Sequence, residues 1–340
     1  MTAKNDPKTV SLVLGSGGAR GFAHIGVIHW LVENGYEIKS ISGASIGALI
    51  GGIYATGKLD RYARWVSTLQ KMDVVRLLDP ALSRAGLIKG DRIIEQLRRL
   101  IGDVNIEDLP ISFVAVAMDF HTGKEVWLSK GNLFDAIRGS IAIPMIFTPF
   151  EIGGRFLIDG GTVNPVPIAP TLNDRTDLTV VVGLSGRDET RLAHPHAHLQ
   201  PSTPTSMPTP QAKAAPPPYR RRILGFMESL ARIQAGATPP IGMVDVALKA
   251  MDTMQAAITR FKLAAYSPDV VIEIPHNACQ IHEFWRAEEM ISLGKARAAR
   301  AFSRQQIEHE PGYGHEAPHG DTKPIAGPDM DSRPGKKKIV

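Results

Sequence analysis

Apolar positions fall into two alternating rhythms at the start of the chain. Val10 to Leu14 is a short apolar run ending in a glycine cluster, after which Ile25, Ile28, Leu31 and Val32 recur at helical spacing until Asn34-Gly35 stops them. Ser40 to Ser42 predicts a second short strand, and Ile46 to Thr56 a second helix ended by Gly57. Strand, helix, strand, helix predicts a parallel sheet covered by helices, because parallel neighbours need a crossover of about a dozen residues or more. Later strands are predicted at Ile111 to Asp119, Glu125 to Ser129, Phe156 to Asp159, Leu178 to Ser185 and Val270 to Ile274, with His121 to Lys124 as a hairpin turn. Ile241 to Tyr266 and Ile281 to Gln306 read as two long helices around the last strand. That strand is expected in the same sheet, which makes the stretch before it an insertion rather than a domain boundary.

Composition sets that stretch apart. Residues 186–222 mix Pro, Ser, Thr and His with almost no branched apolar side chains, and residues 311–340 share this character and end in RPGKKKIV. Such segments bury too little apolar surface to offset their ordering entropy. Together they hold 13 of the 25 prolines. Six Lys/Arg against two acids in the first, and five against four in the second, account for the whole formal charge of +5. The rest of the chain sums to zero, so the basic balance belongs to appendages and no nucleic-acid partner is expected.

The 340 residues, at about 150 per domain, leave room for one large domain or two. The expected organisation is a core over 10–185, a flexible Pro/His-rich insertion over 186–222, a helical segment with a final strand completing the core over 223–310, and a disordered tail over 311–340. A single cysteine, Cys279, cannot form an intrachain disulfide, and the N-terminus lacks the features of a secretory leader. The most apolar window, Ile41 to Ala55, is too short to span a bilayer. A cytoplasmic chain without a transmembrane helix is expected.

Three spots carry candidate chemistry, each at a predicted strand end, where open α/β sheets place their ligands. The first is GSGGARG over residues 15–21, between the first strand and the first helix. Backbone N–H groups in such a turn can hold a phosphate or a developing oxyanion; the plainer role of the glycines is close helix packing. A dinucleotide fingerprint needs G-x-G-x-x-G, and the frame from Gly15 puts Arg20 at its last position while the frame from Ser16 lacks its first glycine. The second strand also ends in Gly43 rather than in an acidic ribose ligand. The second spot is Gly43-Ala44-Ser45-Ile46-Gly47, a G-x-S-x-G between strand and helix, where a sharp turn exposes a serine and Gly43 and Gly47 relieve crowding. Otherwise Ser45 simply caps the helix. The third is Asp159-Gly160-Gly161, which reads either as an ordinary turn or as a carboxylate that lies beside the first two loops of a parallel sheet and serves Ser45 directly as a base.

Histidine is the usual base for a serine, and the eleven histidines are poorly placed for it. His194, His196 and His198 lie in the insertion, and His309, His315 and His319 in or beside the tail. His24 and His29 belong to the first helix and His121 to a turn. His276 and His282 fall in the final strand-to-helix connection, and of all these only His276 suits a hydrolase triad.

Taken in order, the motifs resemble those of the patatin-like phospholipase family, and within it the bacterial RssA type. The likeness covers Val10 to about Ser185 and resumes from about Pro268 to the end of the last helix. It implies a patatin-like three-layer α/β fold with a mainly parallel central sheet flanked by helices. It also implies that Gly17, Gly18, Ala19, Arg20 and Gly21 form the oxyanion loop. Ser45 would then be the nucleophile, and Asp159, followed by Gly160 and Gly161, the base of a Ser-Asp dyad. Arg138 to Pro144, with Phe147 and Pro149, is similar to the family's segment ahead of the aspartate strand. The implied activity is hydrolysis of lipid esters, phospholipids included, through an acyl-enzyme, with no cofactor and no metal. Ser16, where many members carry glycine, and the long insertion depart from the family pattern.

Two rivals stand beside this reading. One is a non-catalytic regulatory or partner-binding protein on the same fold; the other is a Ser-His-Asp esterase using His276, although that fold usually places more strands ahead of its nucleophile. Asp60 to Lys71 and Asp91 to Ile101 are candidate lid helices, and Tyr62, Trp65, Val66 and Leu69 form a face of the first that is expected to meet the core rather than lipid. Arg220 to Arg222 and the RPGKKK run could draw the chain peripherally to an anionic membrane, with solubilising charge as the default role. His194, His196 and His198 have no nearby acid or cysteine to complete a metal site.

Overall fold

A computed structural model describes residues 6–81, 86–188 and 242–309. Five strands run parallel through its centre. β1 (Thr9–Leu14) lies between β2 (Glu37–Ala44) and β9 (Leu178–Gly186), β10 (Val270–Pro275) pairs with β9, and β4 (Ser112–Asp119) pairs with β2. Three shorter strands are antiparallel: β5 (Glu125–Leu128) and β8 (Arg155–Asp159) both pair with β4, and β7 (Phe150–Ile152) pairs with β8. A separate parallel pair joins β3 (Gly86–Ile88) to β6 (Met145–Phe147). The mixed α/β architecture with a mainly parallel sheet agrees with the expectation from sequence.

Register within β4 decides the geometry of the site. β5 covers one edge of β4 from Ala115 to Met118, so β2, which pairs over Ser112 to Val116, must lie on the opposite edge. β8 pairs with Ala117 to Asp119 and also overlaps β5, so it lies on that opposite edge too. β2 and β8 therefore meet end to end along a single edge of β4, with Ala44 opposite Val116 and Asp159 opposite Ala117. The strand carrying Asp159 is thus antiparallel, not part of the parallel run that the alternation suggested.

Strands buried on both faces read as nearly continuous apolar runs, as β1 does with TVSLVL. Its Val10, Leu12 and Leu14, with Val180 and Val182 of β9, join a large core formed with α1 (Ala23–Glu33) and α2 (Ile46–Ala55). Val13 and Val181 point the other way, where Leu263 and Tyr266 of α7 (Met243–Tyr266) pack. The expected helix from Asp60 to Lys71 is two helices, α3 (Leu59–Ser67) and α4 (Lys71–Leu77). The Thr68 hydroxyl donates to the Trp65 carbonyl at 2.7 Å, and Gln70 and Asp73 then form a capping box that starts α4. α5 (Asp91–Ile101) lies where it was predicted, whereas α6 (Leu133–Ser140), β3, β6 and β7 were not anticipated. Only residues 186–188 of the predicted insertion are described, and the predicted tail lies outside the described residues, as do His194, His196 and His198.

The last helix, α8 (Ala287–His309), begins six residues later than expected, after a 3-10 turn at Phe284–Arg286. It crosses α1 at backbone contact. A Cβ on Gly26 would collide with the Ile291 carbonyl, and one on Gly294 with the Ala23 carbonyl. Each glycine thus makes room for the other helix's backbone. Gly294→Val should therefore lower unfolding free energy by about 2–3 kcal/mol in urea titrations of the full chain. A loss below about 0.5 kcal/mol, the scatter of neutral surface changes, would show that the crossing is not tight.

Candidate functional site

Ser45 stands where β2 turns into α2, with φ 56° and ψ −123°, a conformation that costs a non-glycine residue about 1–3 kcal/mol. Three contacts hold it there. Its N–H donates to Ser140 Oγ at 2.9 Å, the Ser140 hydroxyl donates to the Val116 carbonyl at 2.6 Å, and the Leu49 N–H closes the first turn of α2 on the Ser45 carbonyl at 3.1 Å. The turn is tight enough that a Cβ on Gly47 would collide with the Leu14 carbonyl, and one on Gly43 would sit against the Gly47 backbone at 2.5 Å.

Asp159 reaches the same point from the end of β8. Its Oδ2 accepts from Ser45 Oγ at 2.5 Å and its Oδ1 from the Gly161 N–H at 2.7 Å, across the 3-10 turn Gly160–Thr162. Its own N–H donates to the Ala142 carbonyl at 3.0 Å. Ser45 and Asp159 are 4% and 1% exposed, which keeps water from solvating the carboxylate. That burial pushes the Asp159 carboxyl up to about 7, against the opposing pull of the hydrogen bonds from Ser45 and Gly161.

The glycine-rich loop sorts into two kinds of donor. The N–H groups of Gly15, Ser16 and Ala19 are already used, on the carbonyls of Val182, Pro165 and Ile281 at 3.0, 2.9 and 3.0 Å. Gly17 and Gly18 have N–H groups with no partner among the described residues, and Gly18 sits at φ 59°. Gly21 leaves space for the Ile46 side chain. The Arg20 guanidinium donates to the Gly17 carbonyl at 3.2 Å, the His276 carbonyl at 3.2 Å and Asp252 Oδ1 at 2.7 Å. Of the five residues that the resemblance placed in an oxyanion loop, two have an available backbone donor.

Ser45, Asp159, Gly17 and Gly18 line a cavity of about 250 Å³ whose remaining walls are mostly apolar. Tyr62, Trp65 and Val66 of α3, with Leu69 just beyond it, face this cavity. The face expected to meet the core does so, Tyr62 and Val66 joining it and Trp65 and Leu69 packing against it, and the same side chains form a wall of the cavity. Ile93 and Leu97 of α5 form another wall, so both candidate lid helices border the cavity.

α7 supplies polar residues that sequence reasoning did not single out. Asp252 accepts from Arg20, Gln255 Oε1 accepts from Ser16 Oγ at 3.1 Å, and both line the cavity. Burial opposes ionisation of Asp252, but the Arg20 charge and hydrogen bonds from Arg20 and His276 hold its carboxyl below the usual range. His276 is engaged by this carboxylate through Nε2, while Ser45 is bonded to Asp159. The signal available in the sequence was that Asp252, Gln255 and Thr259 fall at helical spacing, and all three are buried. Ser140 lies inside the segment flagged by resemblance, but nothing local announces its bond to Ser45. Among the described residues, no cluster of His, Cys, Asp and Glu could hold a metal ion, and no helix is long and apolar enough to cross a membrane.

A serine on a strained strand-to-helix turn, a buried carboxylate and spare loop N–H groups thus converge on one cavity, an arrangement suited to acyl transfer. Comparison with known proteins points to the family. Residues 12–172 match the family described as patatin-like phospholipase. An uncharacterized NTE-family protein of Mycobacterium tuberculosis is 38% identical over 343 residues, covering 88% of this chain and 93% of that one. A patatin-like phospholipase domain-containing protein of Caenorhabditis elegans is 32% identical over 190 residues, covering 54% of this chain and 14% of that one. The chain belongs to the patatin-like phospholipase family, and membership supports lipid acyl hydrolysis as the general class of activity. A crystal structure of VipD from Legionella pneumophila aligns with TM-score 0.40 and 14% identity, over 88% of this chain and 67% of that one.

Two consequences of the geometry can be measured. Ser140→Ala strands the Ser45 N–H and the Val116 carbonyl in a buried place, so it should cost about 1–3 kcal/mol of stability; an unchanged urea midpoint would mean that Ser45 is held by other contacts. The second concerns pH. Because the folded carboxyl of Asp159 titrates near 7 and the ordinary value is 3.8, the folded state keeps a proton that the unfolded chain has lost. Stability from this group is therefore present at low pH and falls as pH rises from about 4 to about 7. Asp159→Asn should gain stability relative to wild type across that window, and parallel pH profiles of Tm for the two proteins would rule out the raised carboxyl.

Proposed function

We propose that the protein is a serine lipid acyl hydrolase working through a Ser45–Asp159 dyad. The observation that carries this reading is the direct 2.5 Å hydrogen bond between the two side chains at the wall of an apolar cavity. As Ser45 Oγ attacks the ester carbonyl carbon, its proton passes to Asp159 Oδ2, and the oxyanion is held by the N–H groups of Gly17 and Gly18. Collapse of the tetrahedral intermediate releases the alcohol, which takes the proton from Asp159. Water then gives a proton to Asp159 as it attacks the acyl carbonyl, and collapse of the second tetrahedral intermediate frees the fatty acid while Ser45 Oγ takes that proton back from Asp159. Carboxylic esters with long apolar acyl chains, phospholipids among them, suit the walls of the cavity.

The narrower RssA-type assignment, the acyl-enzyme route and peripheral contact with an anionic membrane belong to this same proposal. So does the division of the chain into one catalytic body, residues 10–185 with 223–310, interrupted by the insertion. Engagement of His276 by Asp252 supports the dyad over a histidine triad. The non-catalytic reading has no observation in its favour.

Ester hydrolysis by the purified chain tests the mechanism. Ser45→Ala and Asp159→Asn should each reduce kcat/KM by about a thousand-fold or more, and His276→Asn by no more than about ten-fold. Only the carboxylate form of Asp159 can accept the proton, so kcat/KM should rise with pH through a midpoint near the Asp159 value of about 7. Activity that survives Ser45→Ala, or that His276→Asn alone abolishes, sinks the dyad. A wild-type protein inert to both esters and a fluorophosphonate probe favours the non-catalytic reading.

A further inference from the structure

We propose that the outer face of α7 is the surface by which the protein docks onto an anionic lipid bilayer, an inference that rests on the lipid-hydrolase reading above. α7 has 24 residues, and its two sides differ sharply. Asp252, Gln255 and Thr259 are buried on one side. On the other side Val246, Ala250, Met254, Ala257, Phe261 and Ala264 recur every three or four residues, which aligns them in a single stripe. The three large side chains of that stripe are open to solvent, with Val246 56%, Met254 58% and Phe261 77% exposed. Exposed phenylalanine and methionine in one row along a helix cost solubility unless a surface covers them.

Charge selects the occupant. Lys249 and Arg260, both exposed, border the stripe along one edge, and Arg260 has no partner among the described residues. Asp252 is the only acid among the described side chains of α7; it is buried and bonded to Arg20 and His276. Among the described side chains of α7, an apolar stripe is bordered by cations and by no exposed acid, the pattern of a helix that lies in a lipid interface with basic groups on the headgroups. Among the described side chains, the same face of a second copy would bring Lys249 and Arg260 against Lys249 and Arg260 at this edge. Position adds to the argument: Leu248 and Met251, on the inner side of the same helix, line the cavity with Ser45 and Asp159. Docking α7 on a bilayer sets the site about 10 Å, one helix diameter, from the lipid.

Cosedimentation of full-length protein with phosphatidylcholine vesicles containing roughly one-third phosphatidylglycerol measures the docking. The Ser45→Ala form is used, so that binding is read without turnover. Adding Met254→Asp and Phe261→Asp should weaken binding by about ten-fold or more, since each removes exposed apolar contact area. Arg260→Glu should weaken binding to the anionic vesicles and leave binding to pure phosphatidylcholine unchanged. In the wild-type background, Met254→Asp with Phe261→Asp should depress hydrolysis of vesicle lipid while a soluble short-chain ester is cleaved at the usual rate. The proposal fails if the Ser45→Ala form does not bind vesicles or if the aspartates leave binding intact. It also fails if the face instead holds a dimer that the aspartates dissociate in sedimentation velocity. If no ester is hydrolysed but the aspartates still abolish vesicle binding, the surface stands and the hydrolase reading falls.

Discussion

Two strands meeting end to end along one edge of β4 bring Ser45 and Asp159 to a single point. β2 stops at Ala44, opposite Val116, and β8 comes from the opposite direction to stop at Asp159, one position further along. Neither residue could reach the other if β4 ended with β2, because the overhang from Ala117 to Asp119 is what pairs with β8. β5 occupies the other edge of β4 and leaves β8 no other place to pair. The catalytic proposal therefore rests on a few residues of register. The same β4 carbonyl, Val116, accepts the Ser140 hydroxyl that fixes the Ser45 backbone. One strand thus sets both the position of the carboxylate and the strain of the serine.

Local pattern carried the parallel core well. β1, β4 and β9 are apolar runs bounded by glycine or helix signals, and each lies close to where those signals put it, whereas β2, EIKSISGA, extends well beyond the expected Ser40 to Ser42. Ser45 and its elbow were legible because the strand-turn-helix context is local. What local pattern could not carry was direction and partnership. Asp159 reads as a strand-end residue whether its strand runs parallel or antiparallel, and only pairing with β4 decides between them. β3, β6 and β7 have three residues each, too few to show a period. Asp252 meets Arg20 across 232 positions of sequence and Gln255 meets Ser16 across 239, so no motif spans either contact.

α7 does two jobs that pull its composition in opposite directions. Its inner side needs polar groups, because Arg20 and Ser16 are buried and each must find a partner. Its outer side carries Val246, Met254 and Phe261 open to solvent, where an ordinary surface helix would be polar. Its inner side also carries Leu248, Met251, Leu263 and Tyr266, so polar and apolar groups share the side that meets the site and the sheet. The exposed apolar stripe is accounted for by the proposed docking on lipid.

The electrostatics of the site follow from where Arg20 is held. A guanidinium near Asp159 would stabilise the carboxylate and draw its titration down toward the ordinary range, which would make it a weaker base. Arg20 borders the same cavity, yet its side chain is bonded to Asp252 and to the carbonyls of Gly17 and His276. The Asp159 carboxyl is governed instead by burial, tempered by Ser45 and the Gly161 N–H, and no cation offsets the cost of its charge. In the proposed mechanism, a carboxyl that titrates near neutrality would be matched to taking a proton from a serine and returning it to an alcohol at the same pH. On the dyad proposal, Asp252 would act on the chemistry indirectly, by neutralising Arg20 so that the glycine loop keeps its arginine without lowering the Asp159 carboxyl.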